Sequence, residues 1–317
     1  MTIVDFFKKI KEKFDQPSAD DICFKDALSQ ALDLVVKSSH PNIHYVPHYQ
    51  KRLTPAVEHT IKFINEIIAQ IPSPILIEEN SWTTNPFIRT VFVDNSHFKK
   101  FFLENRVLEE FFQKTGEKQC IALLLMKYSS KTIFGAEIDG DIIKKNVLKT
   151  SVDFSDHQIV FPKSSEEQIT KEMLMYTLRL IASHALKDIC ALIESKKELE
   201  TEKQTLEIKI ELQNSHASNK LSDQEQLQVS QLLEQIDHKL SEVKKEINKP
   251  ENYLNKVINL LYHPEQFIKS EPVRLFVDKM NMIEDIEDKN DEIRFLKIIT
   301  SEGMSTAVAM VNYKKLW

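Results

Sequence analysis

Between Val229 and Ile247 the apolar residues fall at Val229, Leu233, Ile236, Leu240, Val243 and Ile247, in alternating steps of four and three. A helix places such positions on one narrow stripe, and a stripe sustained over nearly three heptads calls for a partner helix. A second seam runs through Ile189, Leu192, Leu199, Leu206 and Ile210, interrupted by Lys196 and Lys203. The polar stretch Asn214-Ser215-His216-Ala217-Ser218-Asn219 separates the two. The pattern therefore predicts two antiparallel helices zipped into a coiled-coil hairpin over 164–263. Its arm, at about 194–249, is expected to project roughly 30 Å at about 1.5 Å per residue.

Upstream, Ile3, Phe6, Phe7, Ile10 and Phe14 share one face of an expected amphipathic helix, Thr2 to Phe14, with lysines mostly off that face. Asp20 or Asp21 is placed to cap a second helix reaching Val36. His40 to Pro55 holds three prolines and reads as an irregular connection, followed by a helix from Pro55 to Ile71. Pro72-Ser73-Pro74 stops that helix, an extended segment leads to Trp82, and Asn85-Pro86 opens a phenylalanine-rich helical region ending at Thr115-Gly116. The periodicity then shortens. Gln119–Tyr128 and Thr132–Ile138 read as a hairpin turning at Ser129-Ser130-Lys131, with Asp139-Gly140 a further turn. Val147–Phe154 and Gln158–Phe161 add strand character, and Ser164 or Ser165 with Glu167 or Gln168 resembles a capping box. The helix that follows is apolar on most sides from Met173 to Ile193, which predicts a buried base. Past the arm, Glu251–Leu261 reads as a short helix. Val273–Val277, Ile293–Thr300 and Thr306–Tyr313 read as a meander, its last turn at Ser301-Glu302-Gly303. The expected fold is α+β: a helical region over 1–118, an antiparallel β region from 119–163 plus 264–317, and the long inserted hairpin.

Composition narrows function mainly by exclusion. The 317-residue chain has four glycines, where an average usage of roughly 7% gives about 22. Gly116, Gly135, Gly140 and Gly303 build no dinucleotide fingerprint, phosphate loop or nucleophile elbow. The net charge is -6 with signs interspersed, and residues 194–249 hold nine lysines against twelve acidic residues. A nucleic-acid partner is not expected. Cys23, Cys120 and Cys190 are widely spaced among apolar neighbours and read as buried reduced thiols. No run of about 18 apolar residues exists to span a bilayer, and the N-terminus lacks a signal-peptide core. A cytoplasmic location is expected.

Three clusters invite chemistry. His40, His44 and His48 recur at helical spacing for a metal, but Pro41 and Pro47 forbid the regular helix that would align them. Asp153, Asp156 and His157 could form a carboxylate–imidazole base, although Asp and Ser are also ordinary turn residues. Glu284, Asp285, Glu287, Asp288, Asp291 and Glu292 lack the central glycine of a calcium loop and read as a solvated loop. No cofactor and no catalytic set are expected.

The order Pro47-His48-Tyr49, Pro55, Ile71-Pro72-Ser73-Pro74, Trp82 and Asn85-Pro86 resembles a family of bacterial cytoplasmic proteins with no assigned activity. The similarity extends through Ser151-Val152-Asp153-Phe154-Ser155 into the long helix, and it implies a bacterial source and no catalytic residues. The functional expectation is a non-enzymatic interaction or scaffold protein. It would bind a protein partner, or a second copy, through the arm residues Leu199, Leu206, Ile210, Val229, Leu233, Ile236, Leu240, Val243 and Ile247. The alternatives are an enzyme with an unrecognised site near His157, or a peripheral membrane adaptor docked through Phe6, Phe7, Ile10 and Phe14.

Overall fold

The computed structural model describes residues 19–139, 142–215, 223–283, 291–301, 303 and 305–315. The expected N-terminal helix with Phe6, Phe7, Ile10 and Phe14, the tip of the hairpin and the acidic residues 284–290 lie outside them. The chain forms an α+β fold of two compact units, one of residues 62–176 with 265–317 and the other of 18–61 with 177–264. Long-range contacts thus divide the expected helical region 1–118, because its first helices group with the arm and its later ones with the sheet. Among the described residues no helix is long and apolar enough to cross a membrane.

The sheet unit contains β1 (Ile75–Ile77), β2 (Gln119–Asp139), β3 (Ile142–Lys163), β4 (Ile268–Phe276), β5 (Glu292–Thr300) and β6 (Ser305–Lys314). Their order is β3-β2-β6-β5-β4, all antiparallel, and the short β1 adds parallel beside Val311–Tyr313 of β6. Strands before and after the arm thus join one sheet, as the pattern implied. The expected turn at Ser129-Ser130-Lys131 is not there. Those residues run straight through β2 and pair with Asp153, Val152 and Ser151 of β3, and the strands meet instead at the Asp139–Ile142 pair. Serine and lysine suit a solvated strand as well as a turn, so composition alone misplaced the reversal.

β2 and β3 are 21 and 22 residues long, against a usual length of about five or six. Strands this long bend at bulges. The register slips near Ile121/Leu123, Leu125/Lys127 and Gly135/Ala136, and β3 holds Phe161, Asp156 and Asn146 at φ 53°, 53° and 62° in the matching places. An extra residue in the left-handed region increases local twist and curls the sheet. The curl is carried round by residues 277–283: Val277 bridges Ile283, and Met282 bridges Ser151 on the outer edge of β3.

The concave face is filled by aromatic rings. The phenylalanine-rich region forms α3 (Ser81–Thr84), α4 (Pro86–Val91), α5 (Asn95–Leu103) and α6 (Arg106–Thr115). Asn85, Asp94 and Asn105 each accept the first free N–H groups of the helix that follows, which cuts one apolar stretch into separate helices. Gly116, at φ 71°, ends α6 by donating to the Phe112 carbonyl. Phe92, Phe98 and Phe102 are almost wholly buried, and Phe102 stacks on Tyr313 of β6 with centroids 5.2 Å apart. Trp82, expected as an anchor, packs against this core and donates its indole N–H to the Phe92 carbonyl at 3.4 Å.

In the second unit α1 (Ala19–Ser38) precedes a 3-10 turn at Pro41–Tyr45. Then α2 (Tyr49–Ile68) starts six residues before the expected Pro55 and carries that proline inside it. Leu53, Ala56 and Val57 are fully buried, while Pro55 is exposed, so the carbonyl that loses its donor faces solvent. The long helix α7 (Glu166–Ser215) opens with the expected capping box. Ser165 Oγ accepts from the Gln168 N–H at 3.4 Å, and Gln168 Oε1 accepts from the Ser164 N–H at 3.3 Å. Ile169 and Met173 are buried near its start, and beyond them Leu178, Ile181, Ala182, Ala185 and Ile189 form one buried stripe, with Tyr176 and Ile193 exposed, so the base is not enclosed on all sides. The hairpin closes with α8 (Asp223–Ile247) and is followed by α9 (Pro250–Tyr262).

Two substitutions test this account. Phe92→Ala should cost about 3–5 kcal/mol in urea unfolding, the usual loss for a buried aromatic in a tight core. Gly116→Ala should cost about 1 kcal/mol through backbone strain alone, since nothing lies within 4 Å of an added Cβ.

Candidate functional site

The hairpin seams appear where the heptads put them. On α7 the side chains of Leu192, Lys196, Leu199, Lys203, Leu206 and Ile210 are half-buried while their neighbours are mostly exposed. On α8 Ile236 and Leu240 are buried and Val229, Leu233, Val243 and Ile247 are half-buried. Lys203 reaches Asp237 at 2.6 Å and Lys244 reaches Glu200 at 3.2 Å, a pairing that runs antiparallel. The two lysines that interrupt the apolar stripe of α7 therefore belong to it in a different sense. Lys203 lies in the seam by its stem and bonds the facing helix by its ammonium, which raises its pKa. Solvent screening keeps such exposed pairs weak, so the apolar seam dominates.

Seam residues are consumed by the hairpin itself. What the hairpin offers outward is a different set: Ile208 and Leu212 on α7, and Leu227 and Leu232 on α8, are 48, 59, 59 and 39% exposed. The antiparallel Lys203–Asp237 pairing puts all four toward the distal end. Sequence reading picked the seam because periodicity announces it; the outward residues break the period and carry no such signal.

His157 occupies the bulge of β3 opposite Met126, after Asp156 in its left-handed conformation. The hydrogen bond of its ring goes to the Val91 carbonyl at 3.0 Å rather than to either carboxylate. A carbonyl only accepts, so Nε2 carries the proton. The ring stacks on Phe92 at 4.7 Å, with Phe101 and His97 edge-on at 5.8 and 5.5 Å. The Val91 carbonyl is one of those that α4 leaves open at its C-terminus. The neighbouring Thr90 carbonyl accepts from Asn281 Nδ2 at 3.1 Å, and Arg89 pairs with Asp291 at 3.1 Å. His157, Asn281 and Asp291 thus pin one short helix to the sheet. Asp153 and Asp156 are exposed and act on His157 only through their charge. Three buried polar atoms on the α4–α5 stretch, Thr90 Oγ1, Asn95 Oδ1 and His97 Nδ1, have no hydrogen-bond partner among the described residues.

The histidines spaced as metal candidates serve local structure. His40 Nδ1 accepts the Asn42 N–H at 3.2 Å and its ring lies 4.5 Å from Tyr253, while His44 Nδ1 meets the Tyr49 hydroxyl at 3.0 Å. Exposed His48 takes φ 56°. Among the described residues no group of three or more His, Cys, Asp or Glu is placed to hold a metal ion. Cys120 is buried and its thiol is pushed up to about 12 by that burial. Cys190 is exposed, contrary to expectation, because it follows the buried Ile189 onto the outer face of α7. Of the acidic run, Asp291 holds Arg89, and Glu292 is held below the usual carboxylate range by Arg294 and Arg274. No protein-family model matches the chain, and neither a curated protein nor a solved structure shows significant similarity to it.

Burial lowers the pKa of His157, with His97 adding to the shift against the Val91 bond and the two aspartates. Burial lowers that of His40 as well. In each case the unfolded chain takes up a proton near the ordinary value of 6.5 before the native state does. The stabilisation is complete above that pH and is lost as pH falls through the lower native value. Melting temperature should drop between about pH 7 and 5, and the drop should shrink in His157→Gln. A slope identical to that of the unmodified protein would remove His157 from this account.

Proposed function

We propose that the protein is a non-enzymatic contact or scaffold protein that engages a protein partner, or a second copy of itself, through a coiled-coil hairpin. The observation that carries this reading is the split between the two sets of apolar residues on the hairpin. One set is spent in the seam, and the other, Ile208, Leu212, Leu227 and Leu232, is displayed. Displayed leucine and isoleucine on paired helices are the ordinary currency of helix-on-helix recognition. The acidic balance of the arm argues against nucleic acid. A bacterial, cytoplasmic origin, which the short sequence words imply, belongs to the same proposal.

The alternative reading is an enzyme acting near His157. Its support is His97, whose ring lies 5.5 Å from that imidazole and whose buried Nδ1 has no hydrogen-bond partner among the described residues. Against it stands the ring's engagement with Val91, which gives His157 a structural task already.

The fourfold variant Ile208→Ser, Leu212→Ser, Leu227→Ser, Leu232→Ser should keep the circular dichroism of the unmodified protein. It should also lose partner recovery from native cells and any concentration-dependent rise in mass on sedimentation. Recovery and mass equal to those of the unmodified protein would refute the proposal, and Leu240→Ala, which empties the seam, should lower stability by about 2–4 kcal/mol.

A further inference from the structure

We draw no further inference here: the strongest candidate, the side-chain cluster of His97 on α5 and His157 on β3 with rings 5.5 Å apart, belongs to the site already described, and among the described residues no third His, Cys, Asp or Glu is placed with the pair to hold a metal ion.

Discussion

The sheet unit depends on filling the concave side of a curled sheet with phenylalanine. Phe92 is the hub: it is fully buried and its ring meets those of Phe98, Phe101 and Phe102 within 5.9 Å and that of His157 at 4.7 Å. From there the network reaches the strands through Phe102 and Phe112 on Tyr313, and through Tyr128 and Phe154 on Phe295. Flat rings cover the inside of a tightly bent sheet where branched aliphatic side chains would leave gaps, and edge-to-face contacts add to the area they bury. The helices that deliver the rings are short, four to ten residues, and could not stand alone.

Short helices have proportionally many open backbone groups, and the polar residues around them answer that need. Asn85, Asp94 and Asn105 serve the N-termini. His157 and Asn281 serve the carbonyls at the end of α4, reaching in from β3 and from the segment that completes the curl. The imidazole that looked catalytic by its neighbours Asp153 and Asp156 is thereby a fastening between helix and sheet. Its lowered pKa follows from the same enclosure that makes the fastening useful.

The hairpin obeys a simpler rule. Two stripes bury against each other, ion pairs staple their margins, and the residues left over are displayed. Its elements need little from elsewhere in the chain to be read, because a heptad is a local pattern. The sheet differs. Ser129-Ser130-Lys131 carries the composition of a turn, yet lies mid-strand because 17 Cα pairs of β3 hold it in register. Pro55 carries the sign of a helix start, yet lies inside α2 because Leu53, Ala56 and Val57 before and after it are buried together.

From residue order alone came the α+β class, the two seams of the hairpin, the closing meander, the capping box at Ser165 and the end of α6 at Gly116. These rest on periodicity or on single-residue backbone chemistry, both of which act over a few positions. Tertiary structure alone decided that β2 and β3 are single long strands bent at bulges, that β1 joins β6, that His157 bonds Val91 and not an aspartate, and which apolar residues remain outside. Each of those outcomes depends on partners far away in the chain, 66 residues in the case of His157 and Val91. Local preference is worth tenths of a kcal/mol per residue, while burial of one ring is worth about 1.5–3 kcal/mol, so long-range packing prevails wherever the two disagree.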